Sequence, residues 1–203
     1  HLAADSLGNV YVYTETFNWT DQYGPDGRLV KISASGAVTD VEWRAPDGDR
    51  GVNSGIHSLT VDPLGNRLYL QYRNEASGHA WQFVRVDLNK NKAQWCALPN
   101  YPILKGNMQW SASTGSLWWT IKEYVNNSSV GSTRLSEFTP PQGDTFSENG
   151  QPVGIWGAGR TYLFPGASYA ESRVRVMVDD ATSTIYLAGF NSYPNATYAK
   201  ISL

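Results

Sequence analysis

Apolar and polar residues alternate along residues 59–70, LTVDPLGNRLYL, and the alternation is interrupted once, at Asp-Pro-Leu-Gly-Asn. A period of two on both sides of strong turn residues predicts two antiparallel strands joined by a tight turn. The pattern returns three times, as LAADSLGNVYVY from Leu2, MQWSASTGSLWW from Met108 and VMVDDATSTIYL from Val176. Aligned on the turn, Asp5, Asp62, Ser111 and Asp179 share one column, and Tyr11, Tyr69, Trp118 and Tyr186 share another in the second strand. Recurrence of one hairpin marks a repeat protein, at intervals that suit a four-stranded sheet of roughly 40–50 residues plus variable loops.

Further strands extend each hairpin. RLVKIS from Arg28 and FVRVDL from Phe83 match in position and character as third strands, and STRLSEFT from Ser132 and TYAKISL from Thr197 complete the series. Fourth strands are expected at residues 38–43 and 93–98. In the third repeat the fourth strand is poorly marked, because residues 140–169 are rich in Gly and Pro and hold only short apolar runs, such as those at 153–156 and 161–164, and this stretch reads as an elaborated outer strand and a long connection. The last repeat has no candidate for a fourth strand. The chain is therefore read as a single all-β domain of four repeats, approximately 1–46, 56–100, 106–170 and 172–203.

These repeats resemble the blades of the β-propeller superfamily, in particular its NHL-repeat and gluconolactonase-like members, whose blades open with an apolar strand, an Asp-x-x-Gly-Asn turn and a Tyr-containing strand. The first two copies fit that pattern, whereas the third and fourth lack the Gly-Asn pair. The resemblance implies a small four-bladed propeller whose last blade lacks its outer strand. It also admits an arc of a six- to eight-bladed ring, and it implies little about activity, since propellers host many functions.

Composition narrows the function. The 203 residues are 41% hydrophobic and 13% aromatic, enough for a packed core. A net charge of −2, 17% charged residues and no basic run argue against nucleic acid, and no apolar run approaches the roughly 18 residues that cross a bilayer. The sequons at Asn18, Asn126, Asn127 and Asn195 fall in expected loops and point to a secreted, extracellular glycoprotein. The start at His1, with neither Met nor a hydrophobic leader, reads as a processed form or a segment of a longer chain. Cys96, the only cysteine, reads as a buried thiol.

No catalytic signature stands out in the sequence. His1, His57 and His79 share no metal-ligand spacing, and no nucleophile elbow, phosphate loop or dinucleotide signature occurs. His1 resembles the terminal ligand of copper polysaccharide monooxygenases in that one residue alone. The repeated Asp5, Asp62 and Asp179 are expected to cap turn amides rather than gather a metal, so neither metal nor cofactor is expected. Trp43, Trp95, Trp110 and Trp118 fall in strand pattern and read as core, whereas Trp19, Trp81 and Trp156 lie in or beside loops, where rings could stack on sugars.

The leading expectation is thus a non-catalytic interaction or assembly module. Its incomplete last blade would expose an edge at Thr197, Ala199, Lys200, Ile201 and Leu203 to a strand from a second copy, giving a fibre subunit, or from another extracellular protein. A glycan-binding lectin-like propeller and a metal-dependent lactonase or hydrolase in the propeller channel are the alternatives.

Overall fold

A computed structural model describes residues 1–16, 26–43, 56–74, 80–96, 107–122, 133–140, 156–164, 174–192 and 195–203. All its regular structure is β, in four antiparallel meanders. Blade one comprises β1 (Leu2–Ala4), β2 (Val10–Thr16), β3 (Asp26–Ile32) and β4 (Val38–Asp40). Blade two comprises β5 (Ile56–Val61), β6 (Arg67–Asn74), β7 (Ala80–Asp87) and β8 (Lys92–Cys96). Blade three comprises β9 (Met108–Ser111), β10 (Ser116–Lys122), β11 (Thr133–Thr139) and β12 (Gly157–Phe164). Blade four comprises β13 (Arg175–Asp179), β14 (Thr184–Ser192) and β15 (Asn195–Ser202), and it has three strands among the described residues. The chain divides into two compact units, with β1 to β8 in the first and β9 to β15 in the second.

Local chemistry explains the four opening hairpins. Each turn begins with a side-chain oxygen that accepts from amides further along the turn. Asp5 Oδ1 accepts from the N–H groups of Leu7 and Asn9, both at 2.9 Å, and Asp62 Oδ1 from Asn66 N–H at 3.1 Å. Ser111 Oγ accepts from Thr114 N–H, and Asp179 Oδ1 from those of Ala181 and Thr182. Each turn ends on a left-handed residue, namely Gly8, Gly65, Gly115 or Ser183. The first three suit a conformation that costs other residues about 1–2 kcal/mol.

The β12 strand is the outer strand of blade three, within the Gly- and Pro-rich stretch where an elaborated outer strand is expected. GAGRTYLF has no clean alternation in its first half, yet it pairs with β11 along its length across an irregularity between Ser136 and Phe138. Gly159 allows this, because a side chain there would press on the Glu137 carboxylate. The β4 strand is shorter than expected, although Val41 N–H still reaches Leu29 O at 3.0 Å.

The sheets bury their apolar positions as a period of two requires. In blade two Leu68, Leu70, Val84 and Val86 are inaccessible to solvent, a gain of about 1.5–3 kcal/mol for each such side chain. The other face of that sheet buries Tyr69, Gln71, Arg85 and Gln94, with Arg85 Nη2 donating to Gln94 Oε1 at 2.7 Å. Burial pushes the Tyr69 hydroxyl up to about 12. Cys96 is a buried free thiol, and Trp43 and Trp118 are buried as expected, while Trp110 is half-buried.

Candidate functional site

The expected edge lies on β15, which pairs with β14 from Ser192↔Asn195 to Thr184↔Ser202. Leu203 N–H donates to Ser183 O at 2.8 Å just past the last pair. In an antiparallel ladder the groups bonded to one neighbour alternate with groups facing the other side. Leu203, Ile201, Ala199 and Thr197 therefore direct their backbone toward β14, and Ser202, Lys200 and Tyr198 direct theirs outward. Of the five residues expected at the edge, only Lys200 presents its main chain there. Ala199, Ile201 and Leu203 instead direct partly buried side chains against the cluster of Trp118, Leu135, Val176, Ile185 and Leu187. The side chain of Thr197 lies outside the described residues.

The opposite edge of blade four is covered. Val176 N–H on β13 donates to Asn107 Oδ1 at 3.1 Å, and Val178 N–H donates to Gln109 Oε1 at 3.3 Å. Two amide side chains thus occupy donors that would otherwise face a vacant edge. No corresponding cover is present over β15 among the described residues.

Electrostatics concentrate at the blade junctions. Within the second unit, the Asp180 carboxylate accepts from Ser111 Oγ at 2.8 Å, Ala112 N–H at 2.9 Å and Ser113 N–H at 3.0 Å. Burial acts to raise its pKa, but these hydrogen bonds outweigh burial and hold it below the ordinary carboxylate range. Within the first unit, Asp5 is buried and accepts from Asn9 Nδ2 at 2.8 Å and Tyr11 Oη at 3.1 Å as well as from its own turn. It is held low on the same balance. The Tyr11 hydroxyl is pushed well up by burial and by the Asp5 charge.

A third charged group escapes sequence reading. Glu137 on β11 is buried and accepts from Ser116 Oγ at 2.8 Å and from Arg160 Nε at 2.8 Å. Burial acts to raise its pKa, and the hydrogen bonds from Arg160 and Ser116 together with the Arg160 charge more than reverse that, which lowers it overall. Arg160 also lies 4.9 Å from the centre of the Trp118 ring. This arrangement is a packed salt bridge that joins β11 to β12. Among the described residues no three His, Cys, Asp or Glu side chains gather as a metal would need.

The remaining expected site residues fall as follows. Asn18, Trp19, Asn126 and Asn127 lie outside the described residues, and so does His79. Trp81 is on β7 and His57 on β5, with side chains outside the described residues. Asn195 opens β15 rather than sitting in a loop, since Ser192 pairs with it directly. Trp156 is fully buried ahead of β12, so its ring is not displayed for stacking.

No family model and no curated protein matches the sequence. Solved structures do. TolB from Acinetobacter baumannii is similar with a TM-score of 0.56 and 11% identity, over 100% of this chain and 40% of that one. The β-propeller domain of the Trilobed protease from Pyrococcus furiosus, described as having an open velcro topology, is similar with a TM-score of 0.52 and 9% identity, over 98% of this chain and 52% of that one. The chain thus spans about half or less of the length of these structures, and at such identity the likeness concerns the fold. On meander order, turn chemistry and this likeness together, the chain is built of four β-propeller blades.

Proposed function

We propose that this chain is a non-catalytic extracellular interaction module that takes up a β-strand along β15, from a second copy or from another extracellular protein. The observation that carries the reading is the contrast within blade four. The β13 edge is capped by Asn107 and Gln109, whereas the outward main chain of Lys200 and Ser202 on β15 has no such cover among the described residues. An exposed strand edge is a template for strand addition, with main-chain hydrogen bonds supplying the affinity. The sequons support an extracellular location, with Asn195 at the first residue of the edge strand itself. No described feature favours the carbohydrate-binding or lactonase readings over this one.

The register supplies the test. Proline at position 200 removes an outward N–H and leaves the bonds to β14 in place, as edge strands tolerate. Proline at position 201 removes a bond to β14 itself. Light scattering should therefore find Lys200→Pro folded but no longer self-associating or partner-binding, and Ser202→Pro weakened in the same sense. Ile201→Pro should lose thermal stability. An unchanged oligomer size and unchanged partner capture by Lys200→Pro would sink the reading.

A further inference from the structure

The opening turn of blade three differs from its three counterparts in where its negative charge comes from. Blades one, two and four place Asp5, Asp62 and Asp179 at the head of the turn, and each caps amides of its own hairpin. Blade three places the neutral Ser111 there. Its turn, Ser111 to Ser116, is held instead between two carboxylates from outside the hairpin, Glu137 on β11 and Asp180 on the opening turn of blade four. All these groups belong to the second unit.

The hydroxyl protons give the turn a direction, because a hydroxyl has only one proton to donate. Ser116 Oγ donates to Glu137 Oε1 at 2.8 Å, so in the contact between Thr114 and Ser116 the donor is Thr114 Oγ1. Thr114 Oγ1 in turn accepts from Trp118 Nε1–H at 3.4 Å. At the other end Ser111 Oγ donates to Asp180 Oδ1 at 2.8 Å, so Ser113 Oγ donates to Ser111, as does Thr114 N–H at 3.3 Å. Thr114 therefore belongs to both chains of bonds, to Glu137 through its hydroxyl and to Asp180 through its amide. Such chains polarise and strengthen their members.

Both carboxylates are nearly saturated with donors. An ionised carboxylate offers about four lone-pair sites. Glu137 Oε1 accepts from Ser116 Oγ and Arg160 Nη2, and its Oε2 accepts from Arg160 Nε and Arg160 N–H. Asp180 Oδ1 accepts from Ser111 Oγ and Ser113 N–H, and its Oδ2 from Ala112 N–H. A proton arriving at Glu137 must displace one of these donors, and one arriving at Asp180 leaves a weaker acceptor for the rest. Of charged groups, Glu137 faces the Arg160 guanidinium from β12, with Tyr162 further along that strand, and it faces the neutral Ser116 from β10. Asp180 faces the neutral turn of blade three and has the Asp179 carboxylate beside it.

We propose that the opening turn of blade three is an acid-released joint, in which Glu137 and Asp180 take up protons cooperatively and release the turn as one event while the sheet ladders stay paired. Loss of the bond from Ser116 frees Thr114, and with it the order that brings Ser111 and the turn amides to Asp180. The first proton thus makes the second easier to add. Release loosens β12 from β11 at Arg160 and blade three from blade four at Asp180 together. Both carboxylates are held below their ordinary range, so the joint is closed at neutral pH and opens as pH falls below about 4. The turns headed by Asp5, Asp62 and Asp179 have their carboxylate within one hairpin, so each responds alone.

Carboxyl and amide NMR on the intact chain test the joint. Glu137 and Asp180 should titrate over one shared pH interval, more steeply than a single proton does. Amide exchange at Ala112, Ser113 and Arg160 should rise by about tenfold over that interval, with the ladder between β13 and β14 still protected. Asp180→Asn should raise the proton affinity of Glu137 by about threefold, as coupled groups in one network require. Loss of a nearby negative charge alone would lower that affinity, so the sign separates the joint from simple repulsion. Thr114→Val keeps both carboxylates but removes the shared hydroxyl, and the two titrations should become independent. Independent titration in the wild type, or a Glu137 affinity unmoved or lowered by Asp180→Asn, would overturn the proposal. Loss of the β13–β14 ladder in the same interval would also overturn it, since the blades would then be unfolding as a whole. Should Asp180→Asn fail to fold, Thr114→Val decides, and coupling that persists there counts against the joint.

Discussion

The junction between blades one and two and the junction between blades three and four use the same pair of turns in opposite ways. In the first unit the Asp5 carboxylate turns inward to its own blade, where Leu7, Asn9 and Tyr11 donate to it. The neighbouring turn then approaches with Gly65, and the main chain supplies the link, Ser6 N–H to Pro63 O at 2.9 Å. In the second unit Asp180 reaches across and gathers Ser111, Ala112 and Ser113 of the adjacent turn. One repeat thus joins blades by close backbone approach and the other by a shared carboxylate. The first is sensitive to bulk and the second to charge.

Acid should affect both junctions together and produce the largest change. Asp5, Glu137 and Asp180 all have folded-state pKa values below their unfolded ones. A group lowered in this way contributes its full stability above the unfolded pKa, near 4, and loses it as pH falls through the folded value. Thermal melts should therefore be flat from neutral pH down to about 5 and fall steeply below about 4. A melting temperature that rises on acidification would contradict the assignment.

Bulk separates the junctions next. Gly65 and Gly115 have φ of 67° and 62°, so valine at either should cost about 1–2 kcal/mol in backbone strain. Gly115 has open space around it, whereas a side chain at Gly65 meets Asp5. Gly65→Val should cost at least about 1–3 kcal/mol more than Gly115→Val, measured by urea unfolding, because overpacking adds to strain. Equal losses would mean that the close approach is not what joins blades one and two.

Charge separates them in the other direction. Asp180→Ala removes an acceptor shared between blades, and about 1–3 kcal/mol should go with it. Asp5→Ala should cost a similar amount, but with a different reach. Hydrogen exchange should rise at Ala112 and Ser113 in the Asp180 variant, across the junction, and at Leu7 and Asn9 in the Asp5 variant, within one turn. Protection lost in the same pattern for both would erase the distinction.

The hairpins were legible in the sequence because their information is local. Alternation, a capping side chain and a left-handed glycine lie within a dozen residues, as in Asp62 to Gly65. The β12 strand is legible only in its second half, the apolar run from Thr161 to Phe164, because Gly157, Ala158 and Gly159 carry no alternation and are placed by pairing with β11 and by the Glu137–Arg160 bridge. The edge of blade four was legible in part. That TYAKISL forms the last strand follows from its period, but which of its main-chain groups face outward depends on its register with β14. Asp180 beside Asp179 carries no local signal for a similar reason, since its partners lie in another repeat.

The smallest effect tests the turn that departs from the glycine pattern. Ser183 occupies the left-handed position that Gly8, Gly65 and Gly115 fill elsewhere, with φ of 48°. A serine there carries a Cβ strain that glycine would relieve, offset in part by the greater freedom glycine has when unfolded. The hydrogen bond from Leu203 N–H to Ser183 O is a main-chain bond and survives the change. Ser183→Gly should therefore raise stability by about 0.5 kcal/mol and leave β15 in register. The same substitution logic reversed, Gly8→Ser, should lower it by about 1 kcal/mol. A loss of stability in Ser183→Gly would show that the side chain, rather than the backbone angle, holds the blade-four turn.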